Sequence, residues 1–270
     1  MMRVHIFHTG KVTVDRAIPY HESNPLAVTG LFRGKDKKLT LPVSCYLIEH
    51  PKGKILIDTG WDTKYAHERP HRFFGLLDSI STPLIGETDG VDSKLQVLQI
   101  RPQKIDCVYF SHMDFDHTSG IPLVEGAKRF STAREELSDA NRYFFRYVKA
   151  SWQSVNIEPF EYENSGVGPV GKSYDVFDDG SVRLVNTPGH SHGHFSVKVT
   201  GIDGRYVILA GDSVYTQRSI QEHIIPGFTV DTALAKKSVE WICDCAADEN
   251  CILVAPNHDP ETEEQTLELT

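Results

Sequence analysis

Cys107-Val108-Tyr109-Phe110-Ser111-His112-Met113-Asp114-Phe115-Asp116-His117 is the stretch on which the reading of this chain turns. An apolar run of strand type leads straight into four potential metal ligands, His112, Asp114, Asp116 and His117, within six residues. A loop leaving a strand end can turn several side chains toward one point, and imidazole with carboxylate is a donor mix that zinc, iron and manganese accept. So many polar groups beside an apolar strand need a compensating partner, and a cation supplies one.

Three further segments have the same form, an apolar run that ends in a small residue and then a ligand type. They are Val185-Asn186-Thr187-Pro188-Gly189-His190, Val207-Ile208-Leu209-Ala210-Gly211-Asp212 and Ile252-Leu253-Val254-Ala255-Pro256-Asn257-His258. Each presents its His or Asp at the C-terminal end of an expected strand, where the sites of layered α/β proteins gather. Any one of them alone reads as readily as an exposed turn; with the His112 segment they form one candidate site.

Outward from these segments, short β-rich runs recur at Arg3 to Phe7, Val43 to Glu49, Lys54 to Asp58, Val182 to Asn186, Phe195 to Val199, Tyr206 to Ala210 and Cys251 to Ala255. Most are bounded by Gly, Pro, Asp or Asn, the residues that punctuate strands. Helical spacing is clearest from Thr232 to Ala247, with Leu234, Ser238, Trp241, Ile242 and Cys245 on one face behind Asp231 or Thr232 as N-cap. Further helices are expected around Ser93 to Leu98 and within Ala133 to Tyr147. This order predicts an α/β layered protein, one domain over residues 1–270. Two less regular, aromatic-rich stretches, 61–90 (with Phe73 and Phe74) and 142–171 (with Tyr143, Phe144, Phe145, Tyr147, Trp152, Phe160 and Tyr162), read as lids or pocket walls, or equally as core filling.

Composition narrows the partners. The 270 residues carry 28 basic and 37 acidic side chains, a formal charge of -9, so no basic field invites nucleic acid. No apolar run has the length of a bilayer span, and the first residues lack a signal-peptide core; membrane association is not expected and a cytoplasmic location is. Five cysteines without a CxxC pair argue against disulfides and a thiolate zinc cluster. Oligomeric state is left open, with a homodimer as one candidate.

The combined pattern resembles the metallo-β-lactamase superfamily, whose HxHxDH motif is followed by separate His, Asp and His ligands. The resemblance runs from Leu47 to His258 and includes Leu56-Ile57-Asp58-Thr59-Gly60, similar to the family's early strand and turn whose Asp supports the metal loop. It implies a four-layered αββα sandwich. Within the superfamily the chain looks most like the quorum-quenching N-acyl homoserine lactonases, on His8-Thr9-Gly10, on Thr187 to His194, and on Tyr215 three residues after Asp212.

That resemblance implies two divalent ions, one held by His112, Asp114 and His190, one by Asp116, His117 and His258, with Asp212 between them. It implies opening of a lactone, a small-molecule substrate, by hydroxide generated at the metals, with Asp116 orienting the water or moving its proton and Tyr215 polarising the carbonyl. A glyoxalase II type thioesterase, a phosphodiesterase, or a non-hydrolytic diiron redox or sensor protein are the alternatives. The sequence shows no clustered Lys and Arg for a phosphodiester or for glutathione carboxylates, which tilts the choice toward a less charged substrate. The chain departs from the family at Asp114, giving HxDxDH, and resembles there the HxExDH of flavodiiron proteins. The harder oxygen donor moves the expected ion from zinc toward iron or manganese. His194 is expected to support the site by hydrogen bonding, and His192, His67 and His71 to be solvated loop residues.

Overall fold

Val43 to Ile48 are all buried, without the in-out alternation that marks a half-exposed strand. The computed structural model, which describes residues 1–24, 26–68 and 80–270, shows why. Strands β1 (Met2–Asp15), β2 (Lys38–His50), β3 (Gly53–Ile57), β4 (Ser81–Leu84), β5 (Cys107–Tyr109), β6 (Phe130–Ala133) and β7 (Ile157–Phe160) belong to one sheet. Strands β8 (Glu163–Asn164), β9 (Lys172–Asp175), β10 (Val182–Asn186), β11 (Phe195–Thr200), β12 (Tyr206–Gly211) and β13 (Cys251–Pro256) form a second. The chain then returns to the first with β14 (Gln265–Leu269), completing the order β14-β1-β2-β3-β5-β6-β7, with β4 on the other half of β1.

Successive side chains of a strand point to opposite faces, and here both faces are covered. Tyr46, Ile48, Ile55, Ile57, Cys107 and Tyr109 meet Val207 and Leu209 of β12 in a core between the sheets. Their neighbours Cys45, Leu47, Leu56, Val108 and Phe110 face outward into a second core. That core is covered by helices α1 (Val91–Val97) and α3 (Arg134–Arg142), through Val91, Leu95 and Ala140. On the far side, Tyr206, Ile208 and Ala210 of β12 pack against α4 (Gln217–Gln221) and α5 (Thr232–Ala247). Between α1 and α3 the single turn α2 (Phe115–Thr118) carries part of the His112 segment. The result is an αββα sandwich. No helix of the described residues is long and apolar enough to cross a membrane.

One expectation about local structure is corrected. The buried face of α5 is Ala235, Ser238, Val239, Ile242 and Cys245, while Leu234 and Trp241 are only half-buried. Its register is set by the loop beneath: Gly189 has φ 135°, and a Cβ there would lie 2.3 Å from the Ala235 backbone, so a small residue must face that loop. The 142–171 stretch serves both as core filling and as wall of the cavity described below, which Tyr143, Phe145, Tyr147 and Val148 line. It contains β7 and β8, sends Phe160 into the inter-sheet core, and buries Tyr147 and Trp152 in the outer core; Phe144 and Phe145 stay exposed. Of the 61–90 stretch, Trp61 is fully buried, Ile80 and Ser81 line the cavity described below, and His71, Phe73 and Phe74 lie outside the described residues.

Candidate metal centre

Loops at one rim of the sandwich carry all the ligand types picked out in the sequence. Strands β3 and β5 are parallel, as are β12 and β13, so Asp58, the His112 segment, Asp212 and His258 leave their strands at the same end. The sheets are joined at this rim by backbone hydrogen bonds from Ser44 to Asn257 (3.1 Å) and from Phe195 to Ser111 (3.2 Å). Within the His112 segment, Met113 and Phe115 pack into the cores, which leaves His112, Asp114 and Asp116 to the rim.

The carboxylate of Asp212 faces two sets of donors at once. Its Oδ1 lies 3.4 Å from His117 Nε2 and 3.2 Å from His258 Nε2; its Oδ2 lies 4.0 Å from His112 Nε2 and 3.8 Å from His190 Nε2. Asp116 Oδ2 is 3.7 Å from His258 Nε2, and Asp114 Oδ2 is 3.1 Å from His190 Nε2 and 3.5 Å from His112 Nε2. Ligand atoms of His112, Asp114 and His190 lie within 4.8 Å of one another, as do those of Asp116, His117 and His258 and those of His112, His117 and Asp212. His112 Nε2, His117 Nε2 and Asp212 Oδ1 are buried with no hydrogen-bond partner. Such orphaned groups are costly unless something binds them, and imidazole nitrogens facing carboxylates are what a divalent cation takes. The residues therefore fit the pair of ions that the fold implies.

The opposite nitrogen of each ring is tied down. His190 Nδ1 donates to Phe228 O and His258 Nδ1 to Pro42 O, both at 2.8 Å. His117 Nδ1 bonds Asp58 Oδ2 at 2.9 Å. A carbonyl only accepts, so His190 and His258 carry Nδ1–H and turn the Nε2 lone pair inward. Burial pushes His190 below its ordinary pKa against the pull of Asp114. Burial also opposes charge on His117, but Asp58, Asp212 and Asp116 outweigh it and hold that ring well above the usual range. Asp212 is held well below the carboxylate range by His258 and His117 despite its burial.

Tyr215 is buried, with its ring stacked on His258 at a centroid distance of 5.0 Å and edge-on to His190 at 6.1 Å. Burial first, then Asp212, pushes its hydroxyl well above the ordinary phenol range, so the proton stays on. His194 is placed behind this cluster of His and Asp side chains. Its Nε2 accepts the Asp212 backbone N–H at 3.0 Å, which leaves that lone pair committed. Gly211 permits this approach, because its φ is 56° and a Cβ would lie 2.7 Å from His194 Nε2. His192 is half-exposed and pairs with Asp139 at the cavity edge; His67 is exposed and bonds Glu87. Over the centre opens a cavity of about 600 Å³, with Asp114, Asp116, Asp212, Tyr215 and His258 in its floor and Val12, Val14, Ile18, Phe145, Val148 and Phe228 in its walls.

Two residues of the site escaped the sequence reading. Glu136, fully buried on α3, accepts from Met113 N (2.9 Å), Ser191 Oγ and Gly193 N (3.3 Å), tying the His112 loop to the His190 loop. Arg146 reaches the centre itself. Its Nε and Nη2 each lie 2.8 Å from an oxygen of Asp114, and Nη1 donates to His190 O at 2.9 Å. A single arginine 32 residues from Asp114 forms this contact, and no local pattern in the sequence announces it. Burial would push the Asp114 carboxyl up, yet Arg146, His112 and His190 together hold it well below the usual range.

The protein is thus of the αββα class whose reactive centre is built from loops of both sheets. It belongs to the metallo-beta-lactamase superfamily, whose profile matches residues 40–255. It is 28% identical over 239 residues to an N-acyl homoserine lactonase AttM of Azorhizobium caulinodans, covering 85% of this chain and 86% of that protein. An N-acyl homoserine lactonase of Bacillus cereus is 28% identical over 83% of this chain and 84% of its own. Among solved structures, an N-acyl homoserine lactone hydrolase with the product N-hexanoyl-L-homoserine at its catalytic metal centre superposes with a TM-score of 0.74 at 25% identity, covering 96% of this chain and 94% of that one.

Proposed function

We propose that this chain is a metal-dependent lactonase that opens the ring of an N-acyl homoserine lactone or a related lactone. The observation that carries the reading is the two-sided Asp212 carboxylate, facing His112 and His190 with one oxygen and His117 and His258 with the other, under an apolar cavity. On this reading His112, Asp114 and His190 would hold one ion and Asp116, His117 and His258 the other, with Asp212 facing both. The kinship with lactonases supports the substrate class, and a cavity walled by Val12, Ile18, Phe145 and Phe228 suits an acyl chain.

A pair of divalent ions supplies Lewis acidity and makes hydroxide available near neutral pH. The chain's own groups do the rest. Tyr215, kept protonated by burial, donates a hydrogen bond to the lactone carbonyl oxygen as charge develops on it. Asp116, at the cavity floor and 3.7 Å from His258, takes the proton of the attacking water and returns it to the ring oxygen as the acyl–oxygen bond breaks. Water adds across that bond and a hydroxy acid leaves. Four imidazole nitrogens in the donor set favour zinc, with iron and manganese the ions the carboxylates would also accept. A cytoplasmic site of action accords with five free cysteines.

The test is acid release from acyl homoserine lactones, thioesters and phosphodiesters by metal-loaded protein, with metal content measured on the same preparation. Lactone turnover with about two ions per chain is expected, and Tyr215→Phe should lose about 10- to 1,000-fold in turnover while keeping its metal, as for removal of one oxyanion donor. Thioester or phosphodiester cleavage without any lactone turnover overturns the reading.

A further inference from the structure

Arg146 makes the two halves of the centre unequal. Its guanidinium clamps both oxygens of Asp114 at 2.8 Å, and Nη2 lies 3.2 Å from His190 Nε2. Because His190 Nδ1 is committed to Phe228 O, that Nε2 offers a lone pair, and an N–H of Arg146 is aimed at it. The same nitrogen therefore engages two of the three atoms that would ligate the first ion. The clamp is well supported: the Arg146 side chain is only 8% exposed, and its guanidinium carbon lies 4.8 Å from the centroid of Phe228 and 5.0 Å from that of Tyr147. Among the described residues the other half has no counterpart. The ionic partners of Asp116 among them are His117 and His258, those of His117 and His258 are carboxylates, and no Lys or Arg among them forms a salt bridge to Asp116.

We infer that Arg146 is a built-in competitor for the first metal position, so that the two positions fill in order. The Asp116, His117 and His258 position takes metal first. The His112, Asp114 and His190 position fills only at higher metal concentration, when Nη2 gives way. Its displacement is partial, since the bond from Nη1 to His190 O involves no ligand atom and Nε still has Asp114 Oδ1. What is lost is one or two hydrogen bonds between charged groups, which corresponds to a weakening of the first position by about 10- to 100-fold. A centre of this kind responds to metal supply in two stages.

This inference rests on the two-metal reading, and the experiment separates them. Zinc is titrated into the chelator-stripped protein, followed by calorimetry and by competition with a chromophoric chelator. The wild type should show one tight and one weaker site, about 10- to 100-fold apart, and Arg146→Gln should tighten the weaker site and close most of that gap. Arg146→Lys, which keeps the charge but cannot clamp a carboxylate with two parallel bonds, should fall between. Should Arg146→Gln not fold, anomalous scattering from wild-type crystals at one equivalent and at excess zinc decides. The first ion should then appear only beside Asp116, with Arg146 still on Asp114. Two equal sites in the wild type, a gap unchanged in Arg146→Gln, or first occupancy beside Asp114 overturns the inference with the two-metal reading intact. Uptake of no zinc at all removes both.

Discussion

Replacing Asp58 by Asn tests whether a carboxylate outside the proposed ligand set aims one of its histidines. Asp58 is fully buried and has a φ of 59°, a left-handed conformation that Asn tolerates, so the change alters hydrogen bonding and charge without backbone strain. Its Oδ1 accepts from Ser111 N at 2.8 Å; its Oδ2 accepts from Ser111 Oγ at 2.7 Å and meets His117 Nδ1 at 2.9 Å. An amide has one oxygen. With its NH2 toward Ser111 N, two donors face each other in a buried site, at a cost of about 1–3 kcal/mol. With its NH2 toward His117, the ring must give up the Nδ1 proton, and the tautomer that results puts the hydrogen on Nε2, where the lone pair is needed.

Both orientations hurt, through different observables. The first lowers the melting temperature of the metal-free protein; the second weakens metal binding at the His117 position by about 10- to 100-fold, the usual effect of removing a partner of a ligating His. Chelator competition for zinc and thermal melts with and without metal distinguish them. Ser111→Ala, which removes the Oγ bonds to Asp58 and to His112 Nδ1 (3.1 Å) but leaves the Asp58–His117 contact, is the control and should change zinc affinity at the His117 position less than tenfold. An Asp58→Asn protein with wild-type zinc affinity and an unchanged metal-free melt would show that Asp58 does not aim His117.

Two further outcomes follow from the site's supports. Glu136→Gln should destabilise the fold by about 1–3 kcal/mol in urea with an unchanged slope, because its carboxylate oxygens face only donors, from Met113, Ser191 and Gly193; a change below about 0.5 kcal/mol counts against its tie between the loops. Phe145 lines the cavity yet is 59% exposed, so Phe145→Ala should leave stability alone and, on the lactonase reading, raise KM for long-chain more than for short-chain lactones, by up to about tenfold. Equal shifts for both chain lengths would remove Phe145 from the acyl pocket.

What the sequence disclosed and what it withheld have physical reasons. Strands β2, β3, β5 and β12 stood out as apolar runs because both their faces are buried, and the ligand types stood out because each ends or follows such a run. Strand β7, Ile157-Glu158-Pro159-Phe160, ends its sheet, includes a proline and exposes its middle, while β14 is polar at most positions. Neither carries the alternation that signals a strand. On α5 the bulky Leu234 and Trp241 suggested the wrong register, whereas the Gly189 loop packs directly against the Ala235 backbone. Arg146 and Glu136 lie 32 and 23 residues from the Asp114 and Met113 they bind, separations that only the folded chain closes.

Asp114 and Arg146 are best understood together. The HxHxDH pattern places a neutral imidazole where this chain has a carboxylate, which by itself adds a negative charge to a floor already holding Asp116 and Asp212. Arg146, paired to Asp114 through both oxygens, returns that charge to zero. The argument that an extra carboxylate steers the centre toward iron or manganese then loses most of its force, because a carboxylate shared with a guanidinium is a weaker donor than a free one. The four histidines weigh correspondingly more, and on the proposed reading zinc is the ion they favour. Asp114→His would restore an imidazole but leave Arg146 buried without its anion, a cost of about 3–5 kcal/mol by analogy with other broken buried pairs. That single change should therefore lower stability, and adding Arg146→Gln or Arg146→Met should recover it. A stable Asp114→His protein with Arg146 untouched would mean that the two residues are not a matched pair.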